Sequence, residues 1–256
     1  MHRKIRYQEV KVQALEFEMN RSILPSHVDT VPMLGIIGGT AIMHTQLSNP
    51  TKQMIHTPYG SSEVMCSDTI VLLQRHQFQT PPHKMNVRAH LSALAVLGVD
   101  IVICIGSTGS LHVDLPPGSI IIPTDYFCTF KTITIYNNSL THITAQISTE
   151  LAQKLSTLFP QARYGGCYVQ TEGPRFETEH EVKYLAQYGD IVGMTIAHEI
   201  MIANDLQIPC AAICFVDNYA NGVSNTVASY DEVIRSSKQT QERTDAMIQQ
   251  IALAFS

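Results

Sequence analysis

The chain has 256 residues, 45% hydrophobic and 15% charged, with a formal net charge of −5. That composition supports a sizeable buried core and excludes intrinsic disorder. A negative balance without a dense Lys/Arg stripe excludes a nucleic-acid backbone as partner, and no apolar run is long enough to cross a bilayer.

The basic start, Met1-His2-Arg3-Lys4-Ile5-Arg6, is followed by no apolar stretch of the kind a signal peptide needs, because Lys11, Gln13, Glu16 and Glu18 interrupt it. The chain is therefore expected in the cytoplasm, with no membrane partner. Residues 1–32 are polar and weakly periodic and read as an N-terminal extension. The compact domain is expected over 33–256.

Within that domain, Leu34-Gly35-Ile36-Ile37 predicts a buried strand entering the Gly-rich turn at Gly38. Thr69 to Leu73 predicts another strand. Asn86 to Leu97 has helical spacing, with Val87, Leu91, Leu94 and Leu97 on one side and Gly98 as its terminator. Asp100 to Ile105 is apolar on both faces and predicts a strand, followed by a turn over Gly106-Ser107-Thr108-Gly109-Ser110. Strands are predicted at Ser119–Ile122, Ile191–Val192 and Cys210–Val216, a helix over Ile196–Leu206, and a long amphipathic helix over Asp231–Phe255. Continuous apolar strands separated by helices predict an α/β domain, a single one, with a mainly parallel sheet flanked by helices. Ligands of such sheets bind beyond the strand ends, so the segments after Ile37, Leu73, Ile105, Val192 and Val216 are the places to look.

The six cysteines form no C-x-x-C pair, and the eleven histidines no metal-binding spacing. They read as core and surface residues, with no metal site or disulfide expected. Gly38-Gly39-Thr40 offers backbone N–H groups and a hydroxyl to an anion, or is a tight connection; it is not G-x-G-x-x-G, which disfavours a dinucleotide. Arg75-His76 suits phosphate through the planar guanidinium fork, or forms a surface ion pair. Ser107 lies in a hydroxyl-rich turn. Thr195 precedes the helix Ile196–Leu206 and is either an anion ligand or a plain cap. Met194 is a flexible apolar surface for a sugar, or core. In Gln170-Thr171-Glu172-Gly173-Pro174-Arg175-Phe176-Glu177-Thr178, Phe176 can cover a heteroaromatic face while Glu177 accepts from a ring N–H. Asn218, in Asp217-Asn218-Tyr219-Ala220-Asn221-Gly222, can donate to a ring carbonyl, or belongs to a simple turn.

Taken in order, Gly35 to Thr40, Thr57-Pro58-Tyr59-Gly60, Arg75-His76, Pro81 to Ala89, Gly109-Ser110-Leu111, Pro117-Gly118, Thr171 to Thr178, Val192 to Thr195 and Asn218-Tyr219 resemble the methylthioadenosine phosphorylase and trimeric purine nucleoside phosphorylase family. The resemblance covers roughly Leu34 to Gly222. It implies cleavage of a purine nucleoside by inorganic phosphate, as co-substrate, to free base and sugar 1-phosphate, with no metal or organic cofactor, by a homotrimer. It assigns phosphate to Thr40, Arg75, His76, Ser107 and Thr195, the ribose to Met194, and the base to Phe176, Glu177, Asn218 and the small Ala220. Asn218 and His76 become the catalytic residues, and Tyr230 lies near the 5′ end.

Adenine-type members place aspartates where this chain has Asn218 and Ala220. Asn218 with Glu177 resembles instead the 6-oxopurine pattern, which implies inosine, guanosine or 5′-methylthioinosine as substrate. The sequence departs from the family at Ala41, Gln77, Gly106, His198 and Asp217. Those departures leave open a 5′-methylthioadenosine phosphorylase, a hydrolytic nucleosidase on the same scaffold and a non-catalytic nucleoside-binding protein.

Overall fold

The apolar runs of the sequence become strands with no solvent-facing side. Leu34–Gly38 (β1) is buried at every residue, and Cys210–Tyr219 (β11) at every residue up to Asn218. Burial without alternation marks strands covered on both faces. With Ile70–Gln74 (β4) and Ile101–Ser110 (β5) they form a parallel core in the order β4-β1-β5-β11. The computed structural model of the chain describes residues 32–39, 42, 50–128, 131–225, 229–239 and 241–255. Apart from Pro32, the expected extension lies outside the described residues, and so does Thr40.

Shorter strands widen this core. Thr51–Thr57 (β2) and Gly60–Cys66 (β3) form an antiparallel hairpin that joins the β4 edge. Past β5 lie Ile191–Gly193 (β10), Cys167–Gln170 (β9) and Asp125–Phe127 (β7), while Ile120–Ile122 (β6) links β11 to Arg163–Tyr164 (β8). Of the ten described pairings, six are parallel, so the sheet is mainly parallel with antiparallel additions.

The helix Val87–Val96 starts where the Asn86 side chain accepts from Ala89 N–H and is followed by Gly98 at φ +76°, a left-handed conformation that glycine adopts without a Cβ penalty. It packs against the β2–β3 hairpin and against the helix Ile196–Asp205, which in turn lies on β5, β9 and β11. Thr149–Leu158, capped by Ser148, packs between β11 and the terminal helix Gln241–Phe255. The predicted helix Asp231–Phe255 is described as Tyr230–Gln239 and Gln241–Phe255, with Thr240 outside the described residues.

One predicted turn is instead strand. Gly106 to Ser110 continues β5, because its backbone groups find partners on two sides: Cys214 to Tyr219 of β11 along one edge and Ile191–Val192 of β10 at the tip. The predicted turn after Val216 is displaced for the same reason. Gly106 is small here because of packing: a Cβ would stand 2.4 Å from Ile196 Cδ1 and 3.5 Å from Cys214 Sγ. Gly106→Ala is expected to lower stability by about 1–3 kcal/mol through overpacking, read by urea titration. Adding Ile196→Val, which removes that Cδ1, should restore part of the loss.

Candidate active site

A cavity of about 670 Å³ opens where the strands end. Each strand contributes the residues just beyond or at its C-terminal end: Gly39 after β1, Arg75 and His76 after β4, Ser107 to Gly109 at the end of β5, Met194 and Thr195 after β10, Asn218 at the end of β11. Phe176, Glu177 and Ala220 complete the set, so the cavity gathers every site residue read from the sequence that lies within the described part of the chain. This is the usual location for ligands of open α/β sheets.

Arg75 anchors one end. Its backbone N–H donates to Gly38 O at 2.8 Å, tying the end of β4 to β1. Its side chain is only 3% exposed, and Nε and Nη2 donate to Glu199 Oε1 and Oε2 at 2.7 and 2.8 Å. Nη1 donates to Ile105 O at 2.8 Å. Burial works against the guanidinium charge, and the Glu199 carboxylate more than offsets it, holding the group above its ordinary range. Of the five guanidinium N–H groups three are thereby fixed, which leaves two.

His76 sits beside it. Its Nδ1 lies 2.9 Å from Thr80 O. A carbonyl only accepts, so Nδ1 carries the proton and Nε2 is an acceptor in the neutral ring. Burial lowers the His76 pKa, with the Thr80 carbonyl opposing and Arg75 adding to the drop. Gly39 permits the close approach of the first turn: a Cβ there would meet His76 Nε2 at 3.3 Å and Arg75 Nη1 at 3.4 Å. The loop after His76 carries Phe78 and Gln79 at φ 54° and 58°, a strained choice for residues with side chains. Gln77 holds this loop to the hairpin, since its amide donates to Glu63 O and accepts from Glu63 N–H, both at 2.8 Å.

The hydroxyls of this strand end have partners within the protein. Ser107 Oγ donates to the Asp217 carboxylate, and Thr108 Oγ1 donates to Phe215 O at 2.9 Å. The helix Ile196–Asp205 does not offer its first amides to an anion: Thr195 and Ile196 N–H donate to the buried Tyr168 hydroxyl, and Ala197 N–H donates to Gln170 Oε1. Nor is Thr195 a plain cap, since its side chain makes no capping bond and lines the cavity.

At the other end, Glu177 is buried, with Oε1 accepting from Thr171 Oγ1 at 2.7 Å and its backbone carbonyl accepting from Asn221 Nδ2 at 2.7 Å. Asn218 Nδ2 donates to Tyr219 O at 2.7 Å. The β11 register shifts between Val216 and Asn218, a bulge that lets successive polar side chains both serve this region: Asp217 reaches Ser107 while Asn218 approaches Gly109. Phe176 forms an aromatic wall. Gly173, at φ +64°, passes under Met194, whose Sδ would stand 2.4 Å from an added Cβ. Met194 also borders a smaller cavity of about 120 Å³ that Arg88, Lys131, Glu172 and His198 help to line.

Sequence reasoning missed Glu199, Thr80, Gln79 and Asn221. Glu199 alone left a signal: an acid amid Ile196, Ala197, Ile200, Ile202 and Ala203, the apolar face of its helix, has to be paired. Behind the site, His90 is 5% exposed, with Nδ1 partnerless among the described residues.

A mixed sheet with these residues at its strand ends is the architecture of a nucleoside phosphorylase, and the chain belongs to the Phosphorylase superfamily, whose pattern matches residues 34–252. It is 38% identical over 221 residues to the probable 6-oxopurine nucleoside phosphorylase of Archaeoglobus fulgidus, across 81% of this chain and 90% of that protein. It is 37% identical to the probable S-methyl-5′-thioinosine phosphorylase of Methanocaldococcus jannaschii, across 82% and 88%. Methylthioadenosine phosphorylase from Schistosoma mansoni, solved with adenine, shares the fold at TM-score 0.80 and 22% identity, over 87% of this chain and 91% of that one.

Burial pushes the His90 pKa from 6.5 down to about 4. Through that window the unfolded chain binds a proton that the folded one excludes, so stability falls as pH falls. The full shift corresponds to about 3 kcal/mol. Urea titrations at pH 7 and pH 4.5 should show a smaller acid loss in His90→Leu than in the wild type.

Proposed function

We propose that this chain cleaves a 6-oxopurine nucleoside with inorganic phosphate. The observation that carries the reading is one cavity holding a fixed guanidinium, Arg75, at one end and an aromatic ring, amide and carboxylate, Phe176, Asn218 and Glu177, at the other. The residue roles that go with that division are Arg75, His76, Ser107 and Thr195 at phosphate, Met194 along the sugar and Phe176 over the base beside the small Ala220; Thr40 joins the phosphate set on the family resemblance alone.

In the reaction a phosphate oxygen forms a bond to C1′ while the C1′–N9 bond breaks. The electron pair moves into the purine, which leaves as the neutral base after taking one proton. The sugar carries positive charge in the transition state and the purine negative charge, so an anion at one face of C1′ and an amide N–H at the ring stabilise it selectively. Asn218 supplies that N–H, at N7 or O6. Glu177 accepts from N1–H of a 6-oxopurine, whereas an adenine would bring a bare N1 lone pair to the carboxylate, a repulsive pairing. The names carried by the Archaeoglobus and Methanocaldococcus relatives, both for 6-oxopurine substrates, support this choice. The same reading has the enzyme working as a homotrimer in the cytoplasm, with phosphate as co-substrate.

Hydrolysis is the second reading. The Asp217 carboxylate behind Ser107 favours it, since a negative charge there disfavours a phosphate dianion. Base release from inosine, guanosine, methylthioinosine and methylthioadenosine, each with and without phosphate, tests both. The expected result is phosphate-dependent release, with the 6-oxopurines ahead by at least about tenfold, the worth of one charged hydrogen bond. A strong adenine preference, or release indifferent to phosphate, rejects the proposal.

A further inference from the structure

The anion end of the cavity is poor in positive charge. Arg75 is the only Lys or Arg lining it among the described residues, and Glu199 already balances that charge. Asp217, 7% exposed, adds a carboxylate behind Ser107. The polar groups facing the space divide into donors and acceptors. Arg75 retains two N–H groups and Thr195 a hydroxyl. His76 Nε2 is an acceptor, because Nδ1–H is held by Thr80 O. Ser107 is also an acceptor, because its proton goes to Asp217 and only lone pairs remain for the cavity. Gly106 can supply no hydroxyl, and Ile196 occupies the room that one would need.

Resting on the phosphorolysis reading, we propose that Asp217, acting through Ser107, makes the cavity select phosphate that still carries a proton, H2PO4⁻, over the dianion and over sulfate. The two remaining Arg75 N–H groups and the Thr195 hydroxyl suit the ionised oxygens, and the acceptors on His76 and Ser107 suit P–O–H groups. A ligand bringing lone pairs alone would face half-buried acceptors with nothing to give them. The β11 bulge is what makes this possible, since it turns Asp217 toward β5 while leaving Asn218 at the base. The proton inventory closes for this form: H2PO4⁻ brings in two protons, one goes to the departing purine, and the sugar phosphate is left as the monoanion.

Around His76 the charged and titratable neighbours are Arg75, Glu199 and His90. Around Asp217, β5 contributes Ser107, and the helix Tyr230–Gln239 packed on β11 carries Asp231, Arg235 and Lys238, all exposed. None of these replaces Asp217 as the carboxylate behind the cavity wall.

Initial rates of inosine phosphorolysis by the full chain, against total phosphate between pH 5.5 and 8.5, test the inference. The phosphate KM of the wild type should rise with pH, approaching tenfold per unit once the dianion dominates, while kcat changes little. Sulfate should fail to inhibit even at pH 5.5, which separates Asp217 from simple protonation of His76. Asp217→Asn should make sulfate a competitive inhibitor and lower the phosphate KM at pH 8.5 several-fold. A wild-type KM flat across this range, with sulfate inhibiting at concentrations like those of phosphate, overturns the inference and leaves phosphorolysis standing. Purine release indifferent to phosphate at every pH overturns both. Should Asp217→Asn not fold, the wild-type pH and sulfate measurements decide alone.

Discussion

The buried pair between Arg75 and Glu199 is the constraint on which the cavity depends. Two charges removed from water cost several kcal/mol each, and only close geometry and full hydrogen bonding offset that cost. Here the guanidinium meets both carboxylate oxygens and a main-chain carbonyl, so the arrangement has little freedom. It fixes β4, β5 and the helix Ile196–Asp205 to one another at the point where a ligand must be held. The backbone bond from Arg75 to Gly38 adds β1. Side chains anchored on rigid elements can keep the tolerances that chemistry requires.

The rest of the cavity is shaped by small residues and irregular backbone. Gly39 and Gly173 let chain pass close to His76 and Met194, where a Cβ would intrude. The bulge in β11 breaks strict alternation so that neighbouring residues serve different partners. Phe78 and Gln79, left-handed in the loop after His76, store strain next to a ring that Thr80 O holds. These features weaken regular structure locally, and the long buried strands on either side compensate.

Much of this was legible in the amino-acid order. The β1, β4, β5 and β11 strands stand out because burial on both faces leaves uninterrupted apolar runs, and the helix Val87–Val96 is bracketed by Asn86 and Gly98. The hairpin strand Thr51–Thr57 was not legible, because its side chains are largely exposed and show no alternation. The extension of β5 through Gly106-Ser107-Thr108-Gly109 has the composition of a loop, and only distant partners make it a strand. At the site, the residue types were readable, but not their engagements. Nothing local tells that Ser107 serves Asp217, or that Tyr168 occupies the first amides of a helix twenty-eight residues away.

Met194 forms a partition between the main cavity and its smaller neighbour. An unbranched thioether is the most deformable apolar wall a protein can build, and Gly173 beneath it leaves no side chain to brace it. Space on one side can therefore be exchanged for space on the other by a change of rotamer, with the backbone unmoved. A pocket of this construction has one rigid end, at Arg75, and one deformable wall, at Met194.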